Sequence, residues 1–468
     1  MNYRFLFKVL LLLTVVALFM ITAWNSAGYF HADEYFQIIA FSQTKTTGID
    51  NANLPWEYFE QMRPSLQPWI FAGLHELVSD FGHAFVGKVS RILSALLFLT
   101  AMFFSQKRTK WKNLNILFIL LLLWFVPMLS VRFSSENWSG IFLLFGFLLF
   151  PEANRNSSFY SIVLSGFILG LAIVFRFQVV VAVAVFLALK CIEFRTIKFV
   201  GAVFVGIALS QVLAMISDFY FYGNWVWSSW NYLRVNLFEG AANDRFGVSP
   251  FYYYFVELGH GLIIVPTLLL FVAIYLKLRK QLNAPIPWMI IAFILAHSLI
   301  GHKELRFLFP IIPIAIVLMV DVLSYNMKLK KAFYTATFLL LPITIYKAFQ
   351  PMKAEVKLLE LTEGEDVIKV GYSNENPINP FGLPFDYYRI EKFQMVDLQS
   401  NPARLDDLDY IFGDRRQLLK DFDRDQFEIV YQKYPEWLLQ NFNIGGWASR
   451  SSTPGIYKVK HTTGGITQ

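Results

Sequence analysis

The sequence HADEYFQ, residues 31–37, directly follows an almost unbroken apolar stretch that begins with VLLLLTVVALFMITAW, residues 9–24. An apolar run of this length predicts a helix that crosses a membrane. It is longer than the apolar core of a usual signal peptide and lacks a clear cleavage site, so we expect it to remain as a first transmembrane helix. Asp33 and Glu34 would then lie where this helix leaves the bilayer.

The composition predicts a membrane protein with many spans. Of 468 residues, 56% are hydrophobic, 18% aromatic and 16% charged, whereas soluble domains carry about 25% charged residues. Residues 1–350 contain 27 basic and 16 acidic residues, and residues 351–468 contain 14 basic and 18 acidic residues. This balance indicates basic cytoplasmic loops rather than nucleic-acid binding. The single cysteine, Cys191, excludes a disulfide framework and a cysteine-based metal site.

Apolar segments long enough to span a bilayer recur along the first 350 residues. We predict about eleven transmembrane helices, at 8–25, 84–104, 114–131, 138–151, 160–175, 177–191, 197–217, 255–276, 285–300, 305–325 and 331–349. Basic residues cluster in five places that one topology puts on the same side, at 4–8, 107–112, 190–198, 277–280 and 328–331. The positive-inside rule makes that side cytoplasmic, so the polar, aromatic-rich loops face the other side.

After Pro351 the pattern changes from long apolar runs to short alternating ones. The segments VIKVGY, DYIFGD, FEIVYQ and GIYKVK alternate as strands do, and RRQLLKDF has a helical pattern. About 115 residues suffice for one small domain. We therefore predict a transmembrane catalytic domain at 1–350 and a soluble α/β domain at 351–468 on the non-cytoplasmic side.

The first candidate site is the polar group His31, Asp33, Glu34 and Gln37, which lies among tyrosine and phenylalanine residues. Acids at a helix end are often simply solvated. A partly desolvated aromatic setting, however, raises the pKa of a carboxylate toward values useful for a general base. Asp33 and Glu34 are therefore candidates for acid–base catalysis, with the solvated pair as the alternative.

The second candidate site is GHKELRFLFP, residues 301–310, which contains His302, Lys303, Glu304 and Arg306. Cations on the non-cytoplasmic side run against the positive-inside trend, so they call for an anionic partner such as a phosphate headgroup. Arginine suits phosphate because its planar fork binds two oxygens at once. The structural alternative is a surface ion pair between the glutamate and the arginine.

Three more arginines are candidates for contacts with substrate phosphate or sugar. Arg63 lies in LPWEYFEQMRPSLQPWIFAGLHEL, residues 54–77, which predicts either an interfacial anchor or a groove for a lipid substrate. Arg234 lies in the aromatic loop 218–254, which could hold a sugar or lie on a membrane surface. Arg132 directly follows the third predicted span and is the first residue of RFSSENW.

These segments resemble the signatures of a known family. HADEYFQ is similar to the HPDEhFQ signature of the eukaryotic GPI-anchor mannosyltransferases, and GHKELRFLFP is similar to their HKExRFLxP signature. Weaker stretches, among them RFSSENW and FRFQ, follow in the family's order over about residues 25–310. The chain thus resembles glycosyltransferase family 22, which includes the lipid-linked oligosaccharide mannosyltransferases and has the GT-C fold. Ala32 replaces the usual proline, and the C-terminal region does not resemble the eukaryotic one, which leaves the acceptor open.

The resemblance implies an α-helical polytopic membrane protein that moves mannose from a polyprenyl-phosphate-mannose donor to a glycolipid or lipid-linked glycan. It implies that Asp33, with Glu34, forms the acidic catalytic site and that His302, Lys303, Glu304 and Arg306 line the donor site. A single displacement at the sugar carbon inverts the anomeric centre, with one carboxylate taking the proton of the attacking hydroxyl. Fixed cations would stabilise the departing lipid phosphate.

This scheme requires no cofactor, although His31, Asp33 and Glu34 could hold a divalent cation. The sequence contains no P-loop, G-x-G-x-x-G or D-x-D motif, which agrees with a lipid-linked donor. Two alternatives remain: a GT-C enzyme that uses another polyprenyl-phosphate sugar, and a transporter or flippase for lipids or sugars. The compact tail favours a bacterial plasma membrane, and a eukaryotic protein would lie in the endoplasmic reticulum.

Overall fold

The computed structural model describes residues 3–108, 115–151, 158–194, 197–373, 376–379, 382–400 and 405–460. Within the described part of the first 350 residues, the regular structure is helical. The α-helices there span Tyr3–Asn25, Ala40–Gln43, Trp56–Phe59, Leu66–Val78, His83–Arg108, Asn115–Leu122, Phe125–Ser130, Ser135–Leu149, Phe159–Phe175, Val180–Phe194, Ile197–Tyr222, Ser228–Leu233, Ala241–Phe246, Tyr253–Leu258, Ile264–Lys280, Pro285–Leu299, Ile312–Tyr325, Met327–Phe338 and Leu341–Ala348. A 3₁₀ segment, Leu305–Ile311, precedes one of them.

The chain is a multi-pass membrane protein. Within the described residues, five helices are long and apolar enough to cross a bilayer: Phe5–Asn25, His83–Gln106, Phe177–Phe194, Lys198–Tyr222 and Leu305–Tyr325. Every one of the eleven predicted spans coincides with helical structure, but the count of eleven stays a prediction. So does the orientation, because the basic clusters at 107–112 and 190–198 lie partly outside the described residues.

Three predicted spans, 114–131, 255–276 and 331–349, are each divided into two α-helices, and prolines explain the breaks in the first and the last. In the segment 114–131 one helix ends at Leu122 and the next begins at Phe125, and Pro127 follows shortly after. A proline in a helix lacks the N–H that would bind the carbonyl four residues earlier, and its ring clashes with that carbonyl. Pro342 has the same relation to the helix that ends at Phe338.

The C-terminal region contains the small sheet that the sequence predicts. Its five strands are β1 (Ile368–Tyr372), β2 (Phe393–Asp397), β3 (Tyr410–Asp414), β4 (Phe427–Gln432) and β5 (Pro454–Val459), in the order β2-β1-β3-β5-β4. The pairs of β1 with β2 and β3 are parallel, and the pairs of β5 with β3 and β4 are antiparallel. The helices here span Ala354–Leu361, Arg415–Asp421, Glu436–Asn441 and Trp447–Arg450. Sequence analysis missed β2.

The C-terminal region packs directly against the loop that follows the first helix. The Ala27 carbonyl accepts hydrogen bonds from the backbone N–H groups of Met352, at 2.7 Å, and Lys353, at 3.1 Å. The Tyr35 hydroxyl accepts a hydrogen bond of 3.1 Å from the backbone N–H of Tyr387. One buried apolar cluster includes residues of both regions. The division at residue 350 therefore stays a prediction.

Gly140 allows the helix Ser135–Leu149 to touch the segment that contains Arg306. A Cβ at position 140 would lie 2.6 Å from the carbonyl oxygen of Pro310, so even alanine forces the two backbones apart. We expect Gly140→Ala to reduce the free energy of unfolding by about 1–3 kcal/mol, the usual cost of overpacking. Thermal unfolding in detergent measures this loss. Gly73→Ala is the matched control, because its Cβ would meet nothing within 4 Å, and an equal effect of both changes would contradict the packing argument.

Candidate active site

A cavity of about 430 Å³ brings together both candidate sites predicted from the sequence. Its apolar lining includes Val180, Val181, Leu237, Ala296 and Ile300. The polar residues that line the cavity are His31, Asp33, Glu57, Arg63, Arg176, Gln178, Tyr232, Asn236, His297, His302, Glu304 and Arg306. A chamber lined by both charged and apolar residues suits a ligand that has a polar head and a hydrocarbon chain.

Two buried arginines position the loop that contains Asp33. The last carbonyls of a helix have no partner within the helix, and Arg91 Nε donates to the Ala23 carbonyl at 2.7 Å. Arg132 donates to the carbonyls of Ser26 and Gly28, both at 2.7 Å. Arg132 is only 2% exposed and is bound to backbone. This placement favours a structural role, in which Arg132 holds the loop, rather than the predicted contact with the substrate.

Asp33 and Arg306 form the central contact of the cavity. Arg306 Nη1 donates to Asp33 Oδ2 at 2.6 Å, although the two residues lie 273 positions apart in the sequence. His31 Nδ1 lies 3.3 Å from the other carboxylate oxygen, Oδ1. Burial alone would raise the pKa of Asp33, but the Arg306 guanidinium and His31 outweigh it and hold the pKa well below its usual value. Asp33 is therefore an ionised carboxylate at neutral pH.

Arg306 also binds two further carboxylates. Its Nε donates to Glu304 Oε2 at 2.6 Å and its Nη2 to Glu304 Oε1 at 3.1 Å, which is a bidentate pair. Its Nη1 also donates to Glu136 Oε1 at 3.0 Å. Most N–H groups of this guanidinium are therefore already bound within the protein, so Arg306 has little capacity left for a phosphate.

Glu136 and Arg176 belong to this network, and sequence analysis did not name either as a site residue. Arg176 Nη2 lies 3.2 Å from Glu136 Oε1, and Arg176 Nε donates to Gln178 Oε1 at 2.7 Å. Both side chains are nearly inaccessible to solvent. Buried charges require partners. Glu136 lies just before the predicted span 138–151 and Arg176 separates the spans 160–175 and 177–191, so charges at these span ends, within RFSSENW and FRFQ, were the signal that could have found them.

His31 joins the two candidate sites on the more open side of the cavity. Its Nε2 lies 3.1 Å from Glu304 Oε2, and its Nδ1 faces Asp33. Burial would lower the pKa of His31, but its contacts with the Asp33 and Glu304 carboxylates raise it to about 9. The pKa of Glu304 is held well below its usual value, because His31 and Arg306 outweigh the effect of burial. His31 is therefore an imidazolium at neutral pH.

Arg63 is the cation with the most capacity for a ligand. Its Nη2 lies 3.7 Å from Glu57 Oε1 and 4.0 Å from Asp33 Oδ2, which are long ion pairs. Its guanidinium carbon lies 5.2 Å from the centroid of the Tyr232 ring. Gln37 does not line the main cavity, but its amide donates to Glu57 Oε1 at 3.2 Å, so it orients the carboxylate beside Arg63.

Glu34 lies away from the cavity, although it is adjacent to Asp33 in the sequence. Its Oε1 accepts hydrogen bonds from the backbone N–H groups of Phe30, at 2.8 Å, and His31, at 3.4 Å. It lines a separate cavity of about 30 Å³ together with Arg91 and Tyr388. Burial raises the pKa of Glu34 to about 7, against the opposite effect of Arg132. The structure thus separates the two acids that sequence analysis paired.

Lys303 and His302 point to opposite sides of the chain. Glu304 has extended backbone angles, with φ −137° and ψ 144°, and side chains alternate in an extended segment. His302 Nε2 lies 2.9 Å from Glu304 Oε1 in the cavity. Lys303 Nζ donates instead to the carbonyls of Ser249, at 2.7 Å, and Gly301, at 3.3 Å. Lys303 is not among the residues that line the cavity.

Arg234 also lies outside the cavity. It pairs with Glu239 and lies 3.5 Å from Glu60 Oε2, and its side chain is 41% exposed. Within the described residues, no group of three or more His, Cys, Asp or Glu side chains is arranged to hold a metal ion. His31, Asp33 and Glu34 do not form a common ligand set, because the Glu34 carboxylate faces the other cavity.

The long apolar helices and the charged cavity of about 430 Å³ define a polytopic membrane protein with a candidate ligand chamber. This chain belongs to the Alg9-like mannosyltransferase family, whose model matches residues 9–360. The family predicted from the two signatures is therefore confirmed.

Individual relatives agree with this membership, and a solved structure shares the fold. GPI mannosyltransferase 3 of Candida albicans is 24% identical over 296 residues, which are 61% of this chain and 58% of that protein. A probable Dol-P-Man:Man(7)GlcNAc(2)-PP-Dol alpha-1,6-mannosyltransferase of Schizosaccharomyces pombe is 38% identical over 112 residues, which are 23% of this chain and 20% of that protein. The chain thus spans less than two thirds of either relative. ArnT from Cupriavidus metallidurans, solved with undecaprenyl phosphate, has a TM-score of 0.55 at 9% identity and covers 96% of this chain and 97% of its own. The GT-C fold is therefore confirmed.

Proposed function

We propose that the protein is an inverting glycosyltransferase that moves mannose from a polyprenyl-phosphate-mannose donor to a hydroxyl group of a glycolipid or lipid-linked glycan. The observation that carries this proposal is the ionised Asp33 carboxylate, held by Arg306 in a cavity that also has apolar lining residues. The names of the relatives support mannose, and the Dol-P-Man in one of them supports a lipid-phosphate donor. Undecaprenyl phosphate in the ArnT structure supports a polyprenyl carrier.

In this proposal Asp33 is the general base. A carboxylate has about four lone-pair sites, and Arg306 and His31 occupy two of them. A free lone pair can therefore accept the proton of the attacking hydroxyl. A base with a low pKa is weak toward a free alcohol. However, the bound donor phosphate would also interact with the cations around Asp33, which weakens their effect on this carboxylate and so raises the pKa of Asp33 during the reaction.

The departing phosphate binds Arg63 and the His31 imidazolium. These two cations have longer or fewer internal contacts than Arg306, which already binds Asp33, Glu304 and Glu136. Fixed cations stabilise the negative charge that grows on the leaving oxygen. The role that the sequence assigned to Arg306 thus shifts to positioning: it orients Asp33 and keeps it ionised. The polyprenyl chain follows the apolar lining residues Val180, Val181 and Leu237.

An assay with purified full-length protein, polyprenyl-phosphate mannose and a native lipid extract tests the proposal. We expect a mannosylated lipid with inverted anomeric configuration, identified by mass analysis and NMR. A product formed only with a different polyprenyl-phosphate sugar would replace the donor and keep the reaction class. Lipid movement across vesicles without any sugar transfer would instead support a transporter and overturn the proposal.

The activity should depend on the protonation of His31. Because contacts with two carboxylates raise the pKa of His31 to about 9, the imidazolium is present at neutral pH and is lost as the pH rises through about 9. We expect the KM for the donor to increase over that range, as one cation near the phosphate disappears. His31→Gln should have a raised KM at all pH values and no such increase. A variant that keeps the full alkaline change would assign it to another group.

A further inference from the structure

His297 lines the cavity from within an apolar helix, and none of the roles proposed so far involves it. Its side chain belongs to Pro285–Leu299, the helix that precedes the segment with His302 and Arg306. The residue is 2% exposed. Its ring lies against Phe293, with 4.1 Å between the ring centroids. The imidazole is thus held against Phe293 in a residue that lines the chamber.

The hydrogen bond of the ring defines its tautomer. Nδ1 lies 2.8 Å from the carbonyl oxygen of Phe293, and a carbonyl oxygen can only accept, so Nδ1 carries the hydrogen. In a neutral imidazole the other nitrogen, Nε2, is then an acceptor with a free lone pair. His297, a residue that lines the cavity, therefore has one buried acceptor atom in one orientation.

That acceptor has no donor within the part of the chain that the structure describes. Arg176 is the nearby charged group, but its nitrogens bind Gln178, Ser135 and Glu136. A buried polar atom without a partner costs free energy, and most such atoms in folded proteins are paired. A donor that arrives with the ligand removes this cost.

We propose that His297 Nε2 accepts a hydrogen bond from a hydroxyl group of the sugar that binds in the cavity. The inference rests on the proposed function in that the ligand carries a sugar. A hydroxyl group can also accept a hydrogen bond, and Gln178 lines the same cavity with its Oε1 bound to Arg176 and its amide N–H groups available as donors. His297 is therefore a specificity residue, which distinguishes a hydroxylated sugar from a deoxy analogue.

The first experiment asks whether the hydroxyl belongs to the donor sugar. It measures binding of polyprenyl-phosphate mannose to the purified full-length protein without acceptor. We expect His297→Phe, which keeps the ring but lacks the acceptor, to raise the Kd about tenfold, as the loss of one hydrogen bond implies. His297→Gln restores an acceptor and should recover part of the affinity. One of the 2-, 3-, 4- or 6-deoxy donors should bind wild type about tenfold more weakly and bind His297→Phe with no further loss.

If the hydroxyl belongs to the acceptor, donor binding is unchanged in His297→Phe and the amount of lipid extract needed for half-maximal transfer rises about tenfold. Either result supports the proposal. Ser298→Ala is the matched control, because its hydroxyl donates to the Ile294 carbonyl of the same helix at 2.8 Å and does not line the cavity.

Wild-type values for His297→Phe in both measurements would overturn the proposal and leave the proposed function intact. If wild type binds another polyprenyl-phosphate sugar but not the mannose lipid, the proposed donor fails, and the same variants then test His297 on that sugar. If wild type binds no sugar lipid, the proposed function and the role of His297 both fall.

Discussion

Asp33→Asn should lower kcat for mannosyl transfer about a thousandfold and leave donor affinity within a few-fold of wild type. Asparagine keeps the size of the side chain and can still accept a hydrogen bond from Arg306, but it cannot take the proton of the attacking hydroxyl. General-base catalysis contributes roughly 10²- to 10⁴-fold, so the loss falls in that range. Initial rates at saturating donor, together with separate donor-binding measurements, distinguish catalysis from binding.

Glu34→Gln is the control that the structure offers for this experiment. It is the neighbouring acid and receives the same chemical change, yet its carboxylate lines the other cavity. We expect its kcat to stay within a few-fold of wild type, because glutamine can still accept the hydrogen bonds from Phe30 and His31. If Asp33→Asn keeps most of its activity, or if Glu34→Gln loses as much, Asp33 is not the base.

Arg306→Gln should cause the largest loss of stability of any single change in the cavity. The arginine is the shared partner of Asp33, Glu304 and Glu136, and its side chain is only 7% exposed. Removing one member of a buried ion pair costs about 3–5 kcal/mol, because the remaining charges lose their partner. Thermal and denaturant unfolding in detergent measure this loss, and transfer activity should disappear with it.

Arg306→Lys separates the effect of charge from that of geometry. Lysine keeps the positive charge, but its single nitrogen cannot replace the fork that holds both oxygens of Glu304. We expect it to restore most of the stability and little of the activity. Arg234→Gln is the surface control, because exposed ion pairs contribute about 0–1 kcal/mol. A stable, fully active Arg306→Gln variant would show that the network does not depend on this residue.

The helical segments and the two polar segments of the site were predictable from the sequence, because each leaves a local pattern. Long apolar runs predict spans, and the two signatures predict an acid and a cation cluster, which the structure brings together as Asp33 and Arg306. The pairing itself bridges 273 positions. Periodicity contains no information about such a distance, so only the family resemblance indicated it.

At two places sequence analysis grouped adjacent residues whose side chains point in different directions, and the geometric reason is the same. Consecutive residues in a helical turn point about 100° apart, and Glu34 begins such a turn, so it faces away from Asp33. Consecutive residues in an extended segment point to opposite faces, so Lys303 turns away from its neighbours His302 and Glu304. Grouping residues by the spacing at which side chains share a face, two positions in an extended segment and three or four in a helix, would have separated these side chains.

His297 and strand β2 were missed for different reasons. A histidine inside the predicted span 285–300 was a signal that sequence analysis did not use, because ionisable residues are rare within membrane spans, although its unpaired nitrogen is visible only in the structure. The segment FQMVD of β2 alternates weakly, because it lies at the edge of the sheet and is only partly buried. Neither feature has a period that would distinguish it from its surroundings.

The backbone contacts of Ala27 with Met352 and Lys353 have a consequence for how the protein is made. Asp33 comes far earlier in the chain than Ile456, yet the cluster that packs around its loop includes Ile456, a residue of β5. This packing can therefore form only after the segment that contains Ile456 has been synthesised. In the proposed mechanism, transfer activity arises no earlier than that point.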